Sequence, residues 1–115
     1  MVIRLEDMKT DIREQMRGGT GQVSLKHVVP HEMLPSKARL FSVLTFEKDC
    51  GIGLHEHNGE IEVFYVLQGE GVLDDNGVMT TLRSGDCHVC GNGSSHAISN
   101  EREESLILVA AIILE

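Results

Sequence analysis

The chain has 115 residues and a formal net charge of −8, with 10 Lys and Arg set against 18 Asp and Glu. That length gives one domain with a single core. The acidic balance and an aromatic content of 3% argue against a nucleic-acid partner, which needs basic patches for phosphate and rings for stacking bases. An anionic membrane surface is disfavoured on the same electrostatic ground.

Residues 1–21 form an N-terminal arm. Leu5, Met8, Ile12 and Met16 recur at helical spacing without a clear capping residue, and Gly18, Gly19 and Gly21 end the segment. Helix and extended chain both remain open for it. The first residues turn acidic at Glu6 and Asp7 before any apolar leader forms, and the longest apolar run, Leu106–Leu114, is far short of the ~20 residues of a membrane helix. Three cysteines, Cys50, Cys87 and Cys90, fit a reducing, cytoplasmic setting with free thiols.

From Gln22 to the end, residues 22–115 read as one β domain. Residues 23–28 alternate apolar and polar, residues 40–46 are rich in β-favouring types, and residues 61–67 form a further strand. Residues 71–73 and 78–82 flank Asp74-Asp75-Asn76-Gly77, a hairpin turn signal. Short strands follow over residues 86–89, 96–99 and 105–114. Seven or more short strands divided by Gly, Asn and Asp turns predict a sandwich or barrel.

Three of the six histidines stand in a pattern that points to chemistry. His55 and His57 are two residues apart, so an extended strand projects both from one face. Glu62 follows beyond Asn58-Gly59, where a turn or bulge resets the strand, and His96 follows the Gly-rich turn Gly91-Asn92-Gly93. Three imidazoles and one carboxylate suit a first-row divalent metal (Mn, Fe, Zn or Ni) better than Ca²⁺ or Mg²⁺, which want oxygen. Glu60 rivals Glu62, since residues two apart share a strand face. His27, His31 and His88 read as surface or satisfied core residues. Cys87 and Cys90, three apart on a strand, point to opposite faces and read as one exposed and one buried thiol rather than a redox pair. Arg39, Lys48 and Arg83 are placed on the surface, available to an anion only where one lines the pocket.

The segment His55-Glu56-His57-Asn58-Gly59-Glu60-Ile61-Glu62, with Gly69 after six further residues, resembles the first motif of the cupin superfamily. Gly85, Gly91, Gly93, His96 and Asn100 resemble the second, with Gly91 standing where the family usually has proline. The resemblance implies an all-β, antiparallel jelly-roll barrel (a double-stranded β-helix). It also implies a divalent metal on His55, His57, Glu62 and His96, the spacing to Gly69 favouring Glu62 over Glu60. Arg17-Gly18-Gly19 ahead of the barrel is similar to a segment of short single-domain cupins, some described as oxalate-decarboxylase-like.

Two functions follow as expectations. One is a metal-dependent enzyme of dioxygenase, decarboxylase or isomerase type acting on a small polar or carboxylate-bearing molecule; no general acid or base can be named for it. The other is a non-catalytic module that binds or senses such a molecule. The strand at 106–114 is apolar on both faces, and covering the outer one predicts a homodimer.

Overall fold

The computed structural model describes residues 1–115. Ten strands, all paired antiparallel, make up almost the whole fold: β1 (Lys9–Glu14), β2 (Gln22–His27), β3 (Ala38–Phe46), β4 (Cys50–Glu56), β5 (Glu60–Gln68), β6 (Glu70–Asp75), β7 (Val78–Arg83), β8 (Cys87–Cys90), β9 (Ser95–Asn100) and β10 (Leu106–Leu114). They form a six-stranded sheet in the order β1-β2-β3-β10-β5-β8 and a four-stranded sheet in the order β4-β9-β6-β7. Two antiparallel sheets with connections that cross between them make a jelly roll, the architecture the motifs imply.

Strand alternation builds the core. Val23 and Leu25 of β2, Leu44 and Phe46 of β3, Phe64 and Val66 of β5, and Leu106, Leu108 and Ala110 of β10 all point inward from the large sheet. They meet Ile52, Leu73, Leu82 and Ile98 from the small one. β10 lies at the centre, hydrogen-bonded to β3 on one side and β5 on the other. Its inner residues are buried, while Ile107, Val109 and Ala111 on the outer face are only half-buried. The expected hairpin joins β6 to β7, with Asn76 at φ 50° and Gly77 at φ 94° supplying the left-handed positions its turn needs.

The arm resolves as extended chain. β1 pairs with β2 along its full length and adds an edge strand to the large sheet, and short 3-10 turns at Leu5–Asp7 and Met16–Gly18 flank it. The three thiols are free: Cys87 is exposed and Cys90 buried, as their opposite faces required. No helix is long and apolar enough to cross a membrane.

Candidate metal centre

The four candidate ligands come from both sheets. His55 on β4 lies directly across from His96 on β9 in the small sheet, whereas Glu62 points inward from β5 in the large one. His57 sits just beyond the end of β4. Its backbone is clamped by the second motif, as Gly93 N–H donates to the His57 carbonyl (2.7 Å) and His57 N–H donates to the Ser94 carbonyl (3.1 Å). Gly59 N–H donates to Asn92 Oδ1 (2.5 Å), so the turns Asn58-Gly59 and Gly91-Asn92-Gly93 brace each other.

Their ligating atoms converge. His96 Nε2 lies 3.1 Å from His55 Nε2, from His57 Nε2 and from Glu62 Oε1, and His57 Nε2 lies 3.0 Å from Glu62 Oε1. Two ligands held at right angles, each about 2.1 Å from an ion, stand about 3.0 Å apart. The tautomers sharpen the fit. His55 Nδ1 faces the Gly53 carbonyl (2.8 Å) and His57 Nδ1 faces Glu60 Oε2 (2.5 Å), both acceptors only. Each neutral ring therefore carries its proton on Nδ1 and turns an Nε2 lone pair to the centre. A ring of acceptors around one point is an arrangement that suits a cation.

Each ring is held from behind. Glu60, buried beside Glu62 on the inward face of β5, binds His57 and in turn accepts two hydrogen bonds from Arg39, at 3.0 and 2.8 Å. The geometry thus separates the two glutamates by role: Glu62 joins the cluster, and Glu60 stands behind a member of it. The Arg39 guanidinium holds the Glu60 carboxyl below its usual range and is itself raised by that pairing. Burial alone would raise the Glu62 carboxyl, but in the metal-free cluster the imidazoles of His57 and His96, at 3.0 and 3.1 Å, and of His55, at 3.9 Å, favour its ionised form and hold it well below the carboxylate range. Against burial, the bonds to Glu62 and Glu60 raise His57.

His88 supports His96. It is buried, its Nε2 lies 3.0 Å from His96 Nδ1, and burial lowers its pKa, which suits it to accept the His96 Nδ1 proton. Phe64 stacks on the other side of the His96 ring, 5.1 Å between centroids at 13°. His88, Cys90 and His96 also lie close enough to share an ion. But burial pushes the Cys90 thiol up to about 11, it donates to the Ser94 carbonyl at 3.4 Å, and His96 Nδ1 is taken by His88. That trio is support for the first cluster.

A cavity of about 130 Å³ opens in front of His55, His57 and Glu62, walled by Met16, Leu40, Leu44 and Ile52 and edged by Arg13, Arg17, Arg39, His27 and His31. Arg39 is therefore more than the surface charge expected of it, since it reaches the cavity through its hold on Glu60. Lys48 pairs with Glu103 and Arg83 stays exposed, both away from the cavity. His27 is satisfied by Ser42 Oγ (2.7 Å) and Asp11 Oδ2 (2.8 Å), tying β1 to β3. Asn100, the last motif residue, serves the fold instead of the cluster, because its side-chain amide donates to the Phe46 and Glu104 carbonyls, both at 2.9 Å.

Comparison with known proteins agrees with this geometry. The family described as "Cupin domain" matches residues 42–112. A Thermotoga maritima protein described as an oxalate-binding protein is 39% identical over 114 residues, covering 99% of this chain and 94% of its own length. The crystal structure of a predicted oxalate decarboxylase from Thermotoga maritima superposes with a TM-score of 0.94 at 38% identity, over 100% of both chains. A putative sugar phosphate isomerase from Acidithiobacillus ferrooxidans shares the fold alone, with a TM-score of 0.82 at 20% identity over 99% of this chain and 75% of the other. With the sequence match covering both histidine motifs and the jelly roll that carries them, the chain belongs to the cupin family.

Proposed function

We propose that this cupin holds a divalent transition metal on His55, His57, Glu62 and His96 and binds a small carboxylate-bearing molecule at it. The carrying observation is the convergence of three imidazole lone pairs and a buried carboxylate oxygen beneath a cavity edged with arginine. When bound, the metal supplies a Lewis-acid centre for a carboxylate oxygen. The chain's part is to orient its ligands through Gly53, Glu60 and His88, and to keep water out with Met16, Leu40, Leu44 and Ile52. With only four protein ligands, a metal of higher coordination number held there would keep room for the bound molecule. The oxalate-binding relative supports a dicarboxylate such as oxalate.

Binding is favoured over turnover by one feature of the lining. Glu62 is the only carboxyl group there and is engaged by His57 and His96, and of the two histidines at the edge His27 is held by Ser42 and Asp11, which leaves His31 as the one group free to exchange protons with a substrate. The test is to strip the protein with chelator, reload it with Mn, Fe, Zn or Ni, and titrate oxalate calorimetrically. One metal per chain and oxalate binding only in the loaded protein are expected. Oxalate bound equally by stripped protein overturns the reading, and formate or CO₂ released from oxalate moves it to an enzyme. We further propose that the protein works as a homodimer joined through the outer face of the large sheet.

A further inference from the structure

The wall of the cavity is completed by residues outside the two histidine motifs. Arg13, Met16 and Arg17 of the N-terminal segment line the same space as His55, His57 and Glu62. With Arg39, three of the chain's six arginines converge there, in a protein whose net charge is −8. The cavity, at about 130 Å³, has room for about four waters at ~30 Å³ each, which suits a molecule of only a few heavy atoms.

The three guanidinium groups are not equivalent. Arg39 is committed to Glu60 by two hydrogen bonds. Arg13 has Asp11 at 3.9 Å, and Asp11 is itself held by His27 at 2.8 Å. Arg17 pairs with no carboxylate, so its charge at the cavity edge is uncompensated.

The backbone shows that this placement is built. Arg17 adopts φ 54° and ψ 31°, with Gln15 at φ 47°, a left-handed conformation that side-chain-bearing residues hold only where the surroundings force it. Here the force comes from β4. Gly51 N–H donates to the Thr20 carbonyl at 2.9 Å, and a Cβ on Gly53 would come within 2.2 Å of the Arg17 carbonyl oxygen. A Cβ on Gly19 would come within 2.3 Å of the Gly51 carbonyl oxygen. The arm's turn thus lies flush on the glycine backbone of β4, and the carbonyl of Gly53 is also the group that orients His55. One short stretch of strand fixes both a candidate ligand and the arginine facing it.

We propose that Arg17, with Arg13 beside it, selects a second negative charge on the bound molecule, so that the site prefers small dicarboxylates to monocarboxylates of equal size. The inference rests on the reading that a carboxylate is bound at the metal. It assigns the far carboxylate to the arm, whose guanidinium makes charge-assisted hydrogen bonds with it.

The experiment compares oxalate with oxamate, its half-amide of similar size and single charge, by calorimetry on the metal-loaded full chain. Wild type is expected to prefer oxalate by about tenfold or more, and Arg17→Gln to lose about tenfold in oxalate affinity with oxamate changed less than about threefold. Metal content of Arg17→Gln should equal wild type, and Arg17→Lys should recover part of the loss. Unchanged oxalate preference in Arg17→Gln overturns the role of the arm and leaves the metal reading standing. Loss of metal along with oxalate in Arg17→Gln overturns it too, since the residue would then be structural. A loaded wild type that binds neither anion sinks the metal-carboxylate reading and this inference with it.

Discussion

Three of the groups that decide this site never touch its centre. Glu60 fixes the His57 tautomer, the Gly53 carbonyl fixes His55, and His88 fixes His96. Partners of this kind typically change metal affinity about 10–100-fold when removed. His96→Ala is therefore expected to abolish stoichiometric metal uptake, while His88→Ala and Glu60→Gln keep a site of about 10–100-fold weaker affinity, read by competition with a metal-sensitive dye. Full loading of the His96 variant would show the ligand set to be wrong. The pH dependence follows from His57, whose pKa is raised by the bond to Glu62 and then to Glu60. In the metal-free protein that proton stabilises the fold below the unfolded histidine value, and this contribution is lost as pH rises through the raised folded value. The same proton must leave before Nε2 can hold a metal, so metal-dependent stability has the opposite slope. The melting-temperature gap between loaded and stripped protein should widen from about pH 5 to about pH 8; a constant gap would count against an imidazole site.

At the scale of the element, what the sequence made legible depended on burial. β3, β5 and β10 bury one face and leave the other partly open, so their β-favouring runs mark them clearly. β1 buries nothing, and an edge strand exposed along its whole length leaves no pattern to read. β4 was obscured by Gly51 and Gly53, where a side chain has no room: a Cβ on Gly51 would meet Ile98 and Ser99 of β9, and one on Gly53 the Arg17 carbonyl of the arm. Glu60 and Glu62 could not be told apart by strand parity, because both face inward; what separates them is Arg39, from a different strand. His88 was readable in part, since it shares a face of β8 with buried Cys90, but its bond to His96 depends on how β8 and β9 come together. Two substitutions test this account of the elements. Leu108→Ala, in the fully buried row of the central strand, should cost about 2–5 kcal/mol in denaturant unfolding. Asn100→Ala leaves the buried Phe46 carbonyl without its partner and should cost about 1–3 kcal/mol, with metal content unchanged because Asn100 touches no ligand.

For the whole molecule the question is what covers the large sheet from outside. Val109 lies between Val43 and Tyr65, and Ala111 between Phe41 and Val63, with Val89 beyond Val63 at the edge. These side chains point away from the core, and Phe41, Tyr65 and Val89 are 43%, 47% and 54% exposed. One charge borders these rows, Lys26 of β2 beside Val43, but no carboxylate lies in them, although the chain carries 18 acidic residues. Monomers rarely leave so continuous an apolar surface open to water. A second copy is the matching cover, because a twofold axis through β10 sets the same apolar rows face to face. Charge supports this choice of face: two chains of net charge −8 repel, and an interface free of carboxylates keeps that repulsion at long range, where salt screens it. Light scattering at micromolar concentration should give a mass near twice the 12.7 kDa chain, held or strengthened by added salt. Val109→Glu places like charges at the axis and should give a folded monomer that keeps its metal. Wild-type protein that stays near 12.7 kDa on concentrating would mean that the sheet's outer face is left to solvent after all.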